Sequence, residues 1–246
     1  MSSDSGKPDT VPGLGFKDKE KAHETLKNLE GRDPDYQKLA IKGLIGRAKR
    51  TLTLTKDKDK LQNINDAVKI FEDWLSNFEL QNRSKENRAY LPLASIEVLS
   101  PLKKKYEIED EEAESFLKAY KKAGAEYKNL RTVSSGENKP TWDIVRNSKL
   151  KELLENFHSN SSEFWDGELP TKEHLHLILW AYSPEASKIK KNQSKFEDLL
   201  GTEDEESQDE EKEEENKSSN KKRKSEGSSS SEEEESPTKK TKADKN

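Results

Sequence analysis

The stretch 61–80, LQNINDAVKIFEDWLSNFEL, decides the fold. Leu61, Ile64, Val68, Phe71, Leu75 and Phe78 recur every three or four residues, and Ala67 and Trp74 widen the stripe on one side. Side chains at that spacing stand above one another on one face of an α-helix. The chain as a whole is 28% hydrophobic and 39% charged, far more polar than an average globular chain. Apolar surface is therefore scarce, and a stripe this wide reads as the core on which thinner helices fold rather than as a free partner-binding face.

Two thinner helices precede it. The first is expected over residues 17–30, with Phe16, Ala22, Leu26 and Leu29 as an apolar edge and Gly31 placed as a left-handed stop. Asp33-Pro34 then reads as a cap followed by proline at the first helical position. The second helix carries Tyr36, Leu39, Ala40, Leu44 and Ala48, and contains Gly43 and Gly46. Each interior glycine costs about 1 kcal/mol relative to alanine, so either that helix is weak or another backbone packs closely there. Thr51-Leu-Thr-Leu-Thr is too short and isolated for a strand and reads as the helix fraying into a loop that ends at Lys60. Residues 14–80 thus form a three-helix module, preceded by a disordered segment 1–13.

Beyond Leu80 a second helical module is expected over 90–200, packed on the first. Its helices are read over 93–99, 110–130, 142–157 (with a break possible at Asn147-Ser148), 171–182 and 184–200. The segment LHLILWAY is apolar all round, the mark of a buried central helix. The fold class is therefore all-α, an irregular bundle of about seven or eight helices with a disordered, charged C-terminal tail.

That tail, 201–246, holds 16 of the chain's 50 acidic residues and 10 of its 45 basic ones, a net of −6 that leaves the body at +1. Its only hydrophobic residue is Ala243, so it has nothing with which to form a core. Within it Lys221, Lys222, Arg223 and Lys224 resemble a basic nuclear localisation signal, and Lys239, Lys240 and Lys242 form a second basic element. Both suit the acidic groove of an import receptor. Ser207, Ser229, Ser230 and Ser231 have acidic residues within three positions downstream, resembling acidophilic kinase sites, and Ser236-Pro237 resembles a proline-directed one. A phosphate at each would add about −1.5 to −2.

The absence of cysteine removes disulfides, thiolate metal sites and cysteine nucleophiles. The opening MSSDSGKPDTVPG lacks the apolar run of a secretory signal, and no run reaches the roughly 18 apolar residues of a membrane span. A soluble, intracellular protein without membrane attachment is expected. No phosphate-binding glycine loop or nucleophile elbow is present. The four histidines are His23, His158, His174 and His176, and the last two, two apart on a helix, face different ways and cannot share a metal. No catalytic residue, cofactor or metal ligand is assigned.

Two surface features remain. Lys38, Lys42 and Lys49 fall within about 40° of one another on the second helix, flanked by Arg47 and Arg50. From Lys38 to Lys60 the chain carries a net of +6, an electrostatic footprint for phosphates or else a solubilising face. Phe164-Trp165, before the turn pair Asp166-Gly167, either closes over the core or forms a partner anchor. The leading functional expectation is a nuclear, non-enzymatic adaptor or scaffold with a protein partner and a phosphorylatable tail. The alternative is a nucleic-acid-binding protein using the 38–60 surface, and the third is an enzyme whose site no motif reveals.

Overall fold

The stripe of the anchor helix is core. The computed structural model describes residues 10–201, and in it α3 runs Lys58–Leu80 with Ile64, Ala67, Val68, Phe71 and Phe78 buried. Before it come α1 (Lys19–Leu29) and α2 (Pro34–Leu54), which supply Ala22, Leu29, Ile41, Leu44 and Ala48 to the same apolar layer. The Asp18 carboxylate caps α1 by accepting from the Lys21 amide at 2.8 Å, and Gly31 closes it at φ +75°.

α2 is longer than its sequence suggests. Thr51 to Leu54 stay helical, and the Thr51 and Thr53 hydroxyls donate back to the carbonyls of Arg47 and Arg50, at 3.0 and 2.7 Å. The loop therefore shrinks to Thr55–Asp57, and Asp57 caps α3 through the amides of Asp59 and Lys60. Gly43 and Gly46 mark no close backbone approach, since a Cβ at either would meet nothing within 4 Å.

The second half holds α4 (Leu93–Glu97), α5 (Leu102–Tyr106), α6 (Glu111–Lys122), α7 (Trp142–Ser159), α8 (Lys172–Leu179), α9 (Ala186–Lys191) and α10 (Gln193–Leu200). Two 3-10 turns, η1 (Arg83–Glu86) and η2 (Tyr127–Arg131), complete the helical set. The helix expected over 110–130 stops at Lys122, because Gly124 and Ala125 turn left-handed, at φ +73° and +57°. The remainder becomes η2. α5 was not anticipated, and the last expected helix divides at Asn192 into α9 and α10. These two departures raise the count to ten α-helices among the described residues. α7 runs unbroken through Asn147 because that side chain donates to the Gly31 carbonyl, at 3.1 Å, instead of competing for its own backbone. The only strands among the described residues are Trp165–Asp166 and Leu169–Pro170, a hairpin turning at Gly167.

A second apolar core belongs to this half. Trp180 is fully buried at its centre, stacked on Phe116 at 5.2 Å, with its indole N–H on Asp110 at 3.3 Å. Buried polar contacts join this core to the α1–α3 layer. Arg32 pairs with Asp143 at 2.7 Å and also donates to the Arg131 carbonyl, at 3.1 Å, both groups being buried. Arg146, fully buried on α7, donates to the carbonyls of Trp180 (2.9 Å), Ala181 (3.1 Å) and Arg88 (3.1 Å). Its guanidinium lies 3.5 Å over the Tyr90 ring and 3.8 Å from Asp33. Asp33 therefore bonds Asn147 and faces Arg146 rather than capping α2, and burial raises its carboxyl above the ordinary range against the pull of Arg146.

Removing one partner of such a network leaves buried groups uncompensated. Arg146→Ala is expected to cost about 3–5 kcal/mol in urea unfolding. Arg146→Lys should recover little of it, because an ammonium cannot reproduce the fork that reaches three carbonyls.

Candidate functional site

The N-terminal arm creates a groove. The Val11 amide donates to the Tyr36 hydroxyl at 3.0 Å, and Thr25 holds Gly15 through both its amide and its carbonyl, at 2.9 and 3.0 Å. Residues 10–16 are thereby fixed along α1 and α2, and Thr10 and Leu14 become one wall of a cavity of about 680 Å³. Its floor is a stripe of α2, from Tyr36 through Leu39, Ala40 and Gly43 to Arg47, and its far wall is Tyr127, Lys128 and Arg131 on η2. The volume falls in the range of small-ligand sites.

Leu39, in that floor, is 70% exposed. The aromatic rings are already engaged: the Arg131 guanidinium sits 3.8 Å over Tyr36, and Tyr127 stacks on Tyr90 at 4.8 Å. Arg47 and Lys128 enter no ion pair among the described residues. A smaller cavity of about 280 Å³ adjoins, sharing Asp35, Tyr36, Tyr127 and Arg131. The arrangement offers an apolar trough with a cationic rim. No signal in the sequence marks it, because its walls come from three separate segments.

The basic residues expected on α2 separate in the structure. Lys38 and Lys42 both reach Glu79 of α3, at 3.3 and 3.9 Å, and Lys49 reaches Glu72 at 2.7 Å. Such exposed pairs are each worth about 0–1 kcal/mol, but they place a carboxylate beside each lysine and so reduce the field offered to phosphates. Arg47 turns toward the groove, and Arg50 is exposed without an ion pair among the described residues.

Phe164 and Trp165 lie half-buried against the second core. Phe164 stacks on Phe157 at 4.2 Å, and Trp165 lies edge-on to His174 at 5.1 Å and parallel to Phe196 at 6.4 Å. Lys188 covers the Trp165 ring at 3.8 Å. Beneath them His174 is fully buried. Its Nδ1–H donates to the Phe164 carbonyl at 2.7 Å, which leaves Nε2 to accept from the Ser183 hydroxyl at 2.9 Å. This serine–histidine pair is sealed. Ser183 is 5% exposed and its oxygen also accepts from the Glu185 amide at 3.0 Å, so neither group faces a substrate. Among the described residues no three His, Asp or Glu side chains are grouped to hold a metal ion, and no helix is long and apolar enough to cross a membrane.

The basic clusters at 221–224 and 239–242 and the serines at 207, 229–231 and 236 lie outside the described residues, as does most of the segment expected to be disordered at the N-terminus. Comparison with protein-family models, with curated proteins and with solved structures returns no match.

Burial lowers the pKa of His174 from 6.5 to about 4, outweighing its hydrogen bond to Phe164 and the charge of Glu185. Below pH 6.5 the unfolded chain binds a proton that the native imidazole refuses. This contribution to stability is therefore complete above about pH 6.5 and is lost as the pH falls toward 4, up to about 3 kcal/mol. Unfolding free energies of the wild type and His174→Gln at pH 7 and pH 4.5 test this. The variant should start less stable and lose less on acidification.

Proposed function

We propose that the chain is a nuclear, non-enzymatic helical interaction protein that holds a segment of a protein partner in the groove between the N-terminal arm, α2 and η2. One observation carries this reading: Leu39 stands 70% exposed in a trough whose rim holds Arg47 and Lys128 outside any ion pair among the described residues. An exposed leucine alone is ordinary, but one set in a concave, charge-rimmed cavity is the arrangement of an interface. The inward stacking of Phe164 and Trp165 favours a packing role for that pair and leaves the groove as the stronger contact surface.

The alternative is nucleic-acid binding through Lys38, Lys42, Arg47, Lys49 and Arg50. The ion pairs to Glu72 and Glu79 weigh against it, as do the rings of Tyr36 and Tyr127, which are covered by Arg131 and Tyr90 rather than offered to bases. The two readings differ in their response to nuclease and salt. Affinity capture from nuclear extract with the full chain should retain its partners after nuclease treatment and lose them with the double variant Leu39→Asp, Arg47→Glu. Both positions are exposed, so unfolding stability should stay within about 0.5 kcal/mol per site. Partners that disappear on nuclease treatment, with binding that falls steeply as salt rises, would establish the nucleic-acid reading instead.

The nuclear assignment rests on Lys221, Lys222, Arg223 and Lys224, supported by Lys239, Lys240 and Lys242. Phosphate at Ser229, Ser230, Ser231 or Ser236 would put negative charge between the two basic clusters and weaken their hold on an import receptor. A reporter fused to residues 202–246 should accumulate in the nucleus, and alanine at all four positions 221–224 should abolish that. Continued accumulation of the alanine form would refute the assignment.

A further inference from the structure

We infer that the groove takes an acidic peptide segment bearing one large apolar side chain, with the anchor laid against Leu39 and the peptide backbone crossing α2 at Gly43. This rests on the reading of the chain as an interaction protein and names the chemistry of its partner.

Gly43 costs its helix about 1 kcal/mol relative to alanine, and its lack of a side chain leaves space on the helix surface. Within the described structure nothing fills that space: a Cβ there would meet no atom within 4 Å, and the residue is exposed. It nevertheless lies in the floor of the groove, between Ala40 and Arg47, where any side chain would rise into the trough. Gly46, equally free of neighbours, does not line the groove. The glycine in the floor leaves room for a second backbone, and Leu39 beside it offers an apolar contact.

Charge selects the class of segment. Among the residues lining the groove Arg47 and Lys128 stand exposed at the rim, and Asp35 is the single lining carboxylate. Arg47 has no carboxylate to answer it among the described residues, in contrast to Lys38, Lys42 and Lys49 on the neighbouring face of the same helix. Carboxylates of an incoming peptide would meet guanidinium and ammonium groups at the rim, the pairing that gives acidic-motif recognition its strength and orientation. A basic segment would be repelled, and a purely apolar one would leave the rim unanswered.

The test is selection of a random twelve-residue phage-displayed peptide library on the purified full-length chain, with enriched peptides resynthesised for fluorescence anisotropy. Enrichment of sequences rich in Asp and Glu around one Leu, Phe or Trp is expected. Gly43→Met should weaken their binding at least tenfold, and Gly46→Met, the same change off the groove, should leave it within twofold. Arg47→Glu should weaken it by a similar factor to Gly43→Met. Circular dichroism of the two methionine variants controls for folding, since both replace glycine by a better helix former. Enriched peptides that are neutral or basic, or whose binding survives Gly43→Met, would overturn this inference while leaving a groove that binds protein. No enrichment at all, or bound peptides that leave the amide NMR signals of Leu39 and Lys128 unmoved, would remove the groove as an interaction site.

Discussion

The guanidinium of Arg146 is the constraint on which the rest of this structure hangs. It is fully buried, and it satisfies that burial by donating to carbonyls from two separated stretches of chain, Arg88 on one side and Trp180 and Ala181 on the other. The link between the two helical sets is thereby tied to α7, and the end of α8 is tied to the same point. Ala181 adopts a left-handed φ of +55° there, an unfavourable conformation for alanine that the surrounding bonds over-determine. Tyr90 covers the remaining face of the guanidinium. With Arg32 and Asp143 forming a second buried pair nearby, the helical sets are joined by directional bonds. Such bonds fix one geometry, because a shift of an ångström would leave several buried donors and acceptors unpaired.

That rigidity bears on the groove. Its walls come from the N-terminal arm, α2 and η2, and η2 is held at the polar junction by two contacts to the first helical set: the Arg131 carbonyl accepts from Arg32 while the Arg131 guanidinium covers Tyr36. A trough assembled from three segments keeps its shape only if those segments cannot slide. The glutamates of α3 act in the same direction from the other side of α2, drawing its lysines toward α3 and leaving Arg47 for the groove. A surface that reads as uniformly basic along the chain becomes two faces of different character, one balanced by the glutamates of α3 and one where Arg47 enters no ion pair among the described residues.

How much of this was legible in the sequence follows from the range of the forces involved. The anchor stripe, the proline and glycine boundaries of α1 and α2, and the apolar segment around Trp180 are local patterns, and local patterns set helices. Local patterns also have limits: the apolar period runs across Gly124, where the backbone turns left-handed and separates η2 from α6, and residues 51–54 remain helical although their alternation suggests fraying. On α7 the apolar spacing turns Val145, Leu150, Leu153, Leu154 and Phe157 inward; Leu150 and Phe157 are buried, but so are Asp143 and Arg146, which no apolar pattern marks. A charged residue reads as exposed until its partner is known, and its partners lie far away in sequence. The candidate site was hidden for the same reason, since the sequence leaves open whether Gly43 marks a weak helix or a close backbone approach.

The sequence by itself determined that the chain is helical, that apolar surface is scarce outside a few stripes, and that charge is segregated into a near-neutral body and an acidic tail. These follow from composition and from periodicities within single helices. Only the tertiary structure decided which charges are buried, which lysines are answered by α3, and where an exposed leucine, an unfilled glycine and an unanswered arginine come to share one groove. Those outcomes depend on pairings across tens of residues, as between Lys38 and Glu79, or a hundred and more, as between Arg32 and Asp143. No periodicity along the chain encodes them.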